Sequence, residues 1–192
     1  HYWNAWLLLA LLFIPMICMG VVMLVSSPEL LSKRLNNKEK EQTQKHIVAL
    51  SGVMFITGFL LCGFDYHFGW SHMPVWVVIT ASLLFLIGYM LYAEVLRENA
   101  YLSRTVEVQD DQQLIDTGLY SVVRHPMYTA TLLMFLSMPL ILGSWWALLI
   151  FFIYPTLIIK RIQNEEQVLR EGLKGYNDYQ QRVRWRLIPY VW

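Results

Sequence analysis

The sequence predicts an all-α integral membrane fold: about five transmembrane helices, the last two folded into a hairpin, with a polar cap at one end. Composition, apolar runs and the placement of charge carry this expectation. Of 192 residues, 56% are hydrophobic and 15% charged, against about 25% charged in an average soluble domain. The apolar residues come in uninterrupted runs, and a hydrocarbon core takes about 20 helical residues to cross. All 15 Lys and Arg residues lie between or after these runs, in segments that five crossings place on one side. The net charge of +1 offers no basic field for a nucleic acid.

The first span is expected over residues 5–25. No small-residue cleavage pattern follows it, so it reads as a retained span. Residues 26–46 alternate in sign and carry Lys33, Arg34, Lys38, Lys40 and Lys45, the pattern of a solvated helix or loop with no function of its own. The second and third spans are expected over 47–63 and 75–92, followed by a polar segment, 93–126. The run from Met127 to Ile159 then contains no charge over 33 residues. As one straight helix it would extend about 50 Å, against a core of about 30 Å. It is therefore expected to turn back at Pro139 and Gly143-Ser144, giving helices over 127–142 and 145–159, before a polar tail, 160–192.

Charge tests this count. Five basic residues lie between spans one and two, three (Arg97, Arg104, Arg124) in 93–126, and seven from Lys160 onward. A single span over 127–159 would put the last seven across the membrane from the rest. The positive-inside rule favours the hairpin and puts the polar segments in the cytoplasm. Trp3, Trp6, Trp70, Trp76, Trp145 and Trp146 fall at the expected outer ends, as an aromatic belt would. Asp65 is the one acidic residue on that side. Cys18 and Cys62 lie within spans as packing residues, with neither disulfide nor metal spacing. No GxxxG pair argues for a helix dimer.

Two polar clusters close the hairpin. In Gly118-Leu119-Tyr120, then Arg124-His125-Pro126-Met127-Tyr128, the His125-Pro126 step is expected to start the fourth helix, since proline suits a first turn. A helix N-terminus there would suit an anionic group. The competing reading is an interfacial anchor, with Arg124 and His125 snorkelling to headgroups. In the second cluster, Arg161 and Glu165 share one helix face and Ile162 and Glu166 a neighbouring one. Its competing reading is a surface ion pair. Both clusters must meet at the mouth of the same hairpin.

These motifs, with RIQNEEQVL over 161–169, Tyr176, Tyr179 and Arg186-Leu187-Ile188-Pro189, resemble the isoprenylcysteine carboxyl methyltransferases. More broadly they resemble the integral-membrane methyltransferases that include the phospholipid methyltransferases. The resemblance is specific over 116–189, and the size is like that of a short prokaryotic member. It implies a cytoplasmic catalytic cap using S-adenosyl-L-methionine, with S-adenosyl-L-homocysteine as product. Carried over by position, Tyr120, His125, Pro126, Met127, Tyr128 and Glu165 correspond to cofactor contacts, as do Gln112, Gln113, Leu114 and Ile115 on a looser match. Arg161 corresponds to the substrate-side arginine, and Arg161 and Glu165 to the catalytic pair. No metal is implied. After Val183 the chain has Arg184-Trp185-Arg186 where many relatives have a proline, a departure in the tail.

The implied acceptor is a prenylcysteine or similar lipidic thiol acid reaching the site from the bilayer. A carboxylate, with a pKa near 4, needs no general base, so the residues need only align the reactants and exclude water. Two other readings stay open: phospholipid N-methylation, which needs a base, and, more remotely, an NADPH-dependent membrane reductase.

Overall fold

The computed structural model describes residues 2–35 and 41–192; Lys38 and Lys40 of the first polar segment lie outside the described residues. The described residues form helices α1 (Trp3–Ser26), α2 (Pro28–Leu35), α3 (Gln42–Phe68), α4 (Val75–Glu98), α5 (Pro126–Ile141), α6 (Trp145–Phe151), α7 (Ile153–Gly172) and α8 (Tyr176–Arg182), with a 3-10 turn at Gly118–Ser121. Among the described residues, four helical stretches are long and apolar enough to span a membrane: Trp3–Ser26, Gln42–Phe68, Val75–Glu98 and Trp145–Gly172; Pro126–Ile141 is shorter. The protein is therefore the expected all-α membrane fold.

The spans run longer than their apolar cores: α3 begins in the polar stretch at Gln42, and α4 continues through Glu94, Arg97 and Glu98. Two details of the hairpin differ from expectation. Pro139 does not make the turn: it sits inside α5, near the C-terminal end. The reversal falls at Gly143, whose φ of 83° is open to glycine without strain. The returning leg also does not end at Ile159. It breaks at Phe152 and resumes as α7, which carries the polar 160–172 stretch as helix to Gly172. Arg, Gln, Glu and Leu are good helix formers, and no Gly or Pro interrupts them before that point.

The hairpin reaches the far end of the bundle. Tyr2 and Asn4, at the start of α1, donate to the carbonyls of Leu142 and Ile141, each at 2.7 Å. Asp65, 2% exposed, accepts from the amide and the hydroxyl of Ser71, both at 2.7 Å, and from the hydroxyl of Ser144. The Ser144 hydroxyl in turn accepts from Ala147 N at 3.0 Å and so caps α6. The lone acidic residue of that side is thus the hub joining the α3–α4 turn to the hairpin turn. Trp3, Trp6, Trp70, Trp76, Trp145 and Trp146 are exposed around this end. Ser144→Ala removes the cap and one donor to Asp65. It is expected to cost about 2 kcal/mol, read as a lower melting temperature of the detergent-solubilised protein.

Between the ends, Phe85 and Ala81 of α4 pack with Met134, Met138 and Ile141 of α5 and with Phe151, Ile158 and Ile162 of the returning leg. This core holds the two hairpin legs together and brings the start of α5 beside the middle of α7.

Candidate active site

The N-terminal turn of α5 is set by local chemistry. His125 is the cap residue and Pro126 the first helical residue, as the sequence implies. The helix start offers fewer free amides than expected: Pro126 has none, and the Tyr128 and Thr129 amides bond the His125 carbonyl at 3.0 and 3.3 Å. Upstream, Gly118 has a φ of 49°, and an added Cβ would fall 1.3 Å from the Glu98 carboxylate. That carboxylate accepts from Leu119 N at 3.0 Å, so the 3-10 turn needs glycine first. The turn aims Tyr120 inward, where its hydroxyl accepts from Asn99 Nδ2 at 2.8 Å and its carbonyl accepts from Tyr179 Oη at 2.7 Å.

Behind this turn lies a buried ionic hub. Glu166, 1% exposed, accepts from Arg124 Nε at 2.8 Å and Arg186 Nε at 3.1 Å, with His125 Nε2 at 3.3 Å. Arg124 also donates to the Val183 carbonyl at 2.9 Å. The amides of Arg124 and His125 donate to the carbonyls of Trp185 and Arg186, both at 2.9 Å. The tail is therefore strapped along the start of α5, with the Arg184-Trp185-Arg186 departure inside the strap. Arg124 and His125 are 8% and 5% exposed; they are partners of a buried carboxylate rather than headgroup anchors.

On the other side of α5, Tyr128 joins the catalytic candidates. Its hydroxyl donates to Glu165 Oε2 at 2.5 Å and accepts from Arg161 Nε at 2.8 Å. Arg161 Nη2 donates to the Arg104 carbonyl at 2.8 Å, so the guanidinium is held from two sides. Arg161 and Glu165 are thus parts of one network across α5 and α7.

All these sequence-predicted positions line a single polar cleft: Gln112, Gln113, Leu114, Ile115, Tyr120, His125, Pro126, Met127, Tyr128, Arg161 and Glu165. Asn99, Arg104, Tyr176 and Tyr179 line it too; sequence reasoning did not assign them to it. Burial pushes the phenols of Tyr120, Tyr176 and Tyr179 well above their usual range, so they are neutral hydrogen-bonding groups rather than bases. The Tyr176 hydroxyl is buried and, among the described residues, lacks a hydrogen-bond partner. No group of His, Cys, Asp and Glu residues among the described residues has metal-binding geometry.

A second cavity, of about 670 Å³ and mostly apolar, lies between α1, α2, α3, α4, α5 and α7. It shares Arg104, Met127, Tyr128 and Arg161 with the polar cleft. One wall therefore faces a polar chamber on one side and a hydrocarbon chamber on the other.

Comparison with known proteins agrees with this architecture. The family model for phospholipid methyltransferase matches residues 76–174, more than half of the chain. The chain is similar in fold to the eukaryotic intramembrane Ras methyltransferase ICMT (isoprenylcysteine carboxyl methyltransferase), with a TM-score of 0.68 at 18% identity, over 91% of this chain and 62% of that one. It is 32% identical over 91 residues to the Delta(14)-sterol reductase TM7SF2 of Mus musculus, a match covering 46% of this chain and 22% of the reductase. The chain thus spans less than two thirds of either relative. With its family match centred on the span, cleft and hairpin just described, this chain belongs to the phospholipid methyltransferase family and has the fold of an integral-membrane methyltransferase.

Proposed function

We propose that the protein transfers a methyl group from S-adenosyl-L-methionine to the carboxylate of a prenylcysteine-like lipidic thiol acid, on the cytoplasmic side of the membrane. The observation that carries this reading is the shared wall. Arg161 borders both the polar cleft and the apolar cavity, so a water-soluble donor and a lipid acceptor can meet there from different phases.

The cleft's chemistry suits the cofactor. Tyr176 offers an unpartnered hydroxyl, Leu114 and Leu169 offer apolar surface near Tyr120 and Tyr179, and Glu165 offers a carboxylate for an ammonium or ribose hydroxyls. His125 and the start of α5 border the cleft where a carboxylate would sit. The volume of the cleft, about 100 Å³, is below the roughly 300 Å³ at which small-molecule sites begin. We infer that the irregular segment 99–117, which lines the cleft, moves outward to admit the cofactor. When bound, the cofactor supplies an electrophilic methyl on a sulfonium.

The protein's own residues do the rest. Arg161, fixed by Tyr128 and the Arg104 carbonyl, holds the acceptor carboxylate in place. Tyr128 and Glu165 fix the spacing between the two chambers, and the apolar cavity keeps water from the meeting charges. No general base is needed for an acceptor already ionised.

The reading is tested by methyl transfer from labelled cofactor, comparing a farnesylated cysteine analogue with a phosphatidylethanolamine. The carboxylate acceptor is expected to be preferred, with little change in rate above pH 6. Preference for the amine, with a rate rising with pH, would replace this reading with N-methylation. Calorimetry on the solubilised protein is expected to give saturable binding of S-adenosyl-L-homocysteine and none of NADPH.

A further inference from the structure

Arg34 lies on α2, in the charge-alternating stretch that reads from sequence as a solvated face, yet it lines the apolar cavity. Its Nη1 donates to the Ser103 carbonyl at 2.9 Å, its Nη2 donates to the Tyr92 hydroxyl, and its guanidinium lies against the Tyr92 ring. Arg161 holds the next carbonyl along, that of Arg104. Consecutive residues are about 3.8 Å apart, so the two guanidinium groups grip one short length of backbone. Arg104 lines the same cavity.

The partners of Arg34 are neutral. Arg97, Arg124, Arg182 and Arg186 each pair with a carboxylate. Among the described residues none pairs with Arg34, and none of those lining the apolar cavity is acidic. A guanidinium beside hydrocarbon gains most from an anion, because neutral carbonyl and phenol dipoles replace only part of its lost hydration.

We propose that the acceptor carries a second anionic group, a carboxylate or a phosphate on the same amphiphile, held by Arg34 while the methyl-accepting carboxylate meets Arg161. This rests on the acceptor reading above and narrows it to a dianionic amphiphile. Arg34 would then determine which lipidic acids are accepted, and α2 would be part of the acceptor site rather than a connector.

The test compares two amphiphiles with the same tail, N-acetyl-S-farnesylcysteine with one carboxylate and N-succinyl-S-farnesylcysteine with two. Their dissociation constants are measured by calorimetry on the full chain in neutral detergent, where no lipid anion competes. The dianionic analogue is expected to bind about tenfold more tightly, one charge-assisted contact. In Arg34→Gln that ratio is expected to fall to about two, and in Arg34→Lys to stay between, as a point charge replaces the fork. A merely structural Arg34 would weaken both analogues equally and leave the ratio unchanged. Equal affinities in the unsubstituted protein, or a ratio that survives Arg34→Gln, would overturn the proposal while leaving carboxyl methylation standing. Binding of neither analogue would overturn both.

Discussion

Arg161→Ala is expected to lower kcat/KM for methyl transfer by a factor of about 10² to 10³, the size of effect seen when one preorganised donor is removed from a reacting oxygen. The guanidinium stands at the wall common to both chambers, fixed by the Tyr128 hydroxyl and the Arg104 carbonyl. Without it an acceptor carboxylate has lost its orienting partner at the point where alignment decides the rate. Arg161→Lys is expected to recover little, because one ammonium does not reproduce a fork that meets two partners at once. Glu165→Ala should also remove most of the turnover, through cofactor affinity. Expression and membrane insertion of these variants should be normal, since neither residue belongs to the apolar core. Turnover near that of the unsubstituted protein in either alanine variant would remove that residue from the mechanism.

Glu166→Ala is expected to act through stability instead. It leaves Arg124, Arg186 and His125 facing one another without their shared carboxylate, and breaking a buried pair costs about 3 to 5 kcal/mol. For a chain of this length that corresponds to a melting temperature lower by roughly 10 °C. The tail strap over the start of α5 should loosen with it, so S-adenosyl-L-homocysteine binding should weaken even though Glu166 is not expected to touch the cofactor. A melting temperature within about 2 °C of the unsubstituted protein would show that the hub contributes nothing to holding the tail.

The membrane body was legible because a bilayer imposes one strong rule, that a crossing helix be long and apolar, and charge placement then fixes the parity of crossings. The placement of the 15 basic residues favoured a return leg within the charge-free run over 127–159. The end of that leg was not legible, since 160–172 is polar and a helix leaving a membrane shows no change of period. The cleft residues came together because the α5 start and the Arg161 turn flank one hairpin. Glu166 was half visible: it shares a face with Ile162, which is fully buried, and a carboxylate on a buried face needs cations around it. Nothing in the sequence pointed to Arg34. Alternating charges look alike whether they face solvent or fold back over a cavity, and only the packing of α2 against Tyr92 and Ser103 tells them apart.

The grip of Arg34 and Arg161 on the successive carbonyls of Ser103 and Arg104 links the two chambers through one short stretch of backbone. A ligand that shifts either arginine is expected to shift that stretch, which also lines the polar cleft. Occupancy of the hydrocarbon chamber should then change the affinity of the polar one, and by linkage each ligand should change the other's binding by an equal factor. The backbone between the chambers would then act as a coupling element, so donor and acceptor would not bind independently.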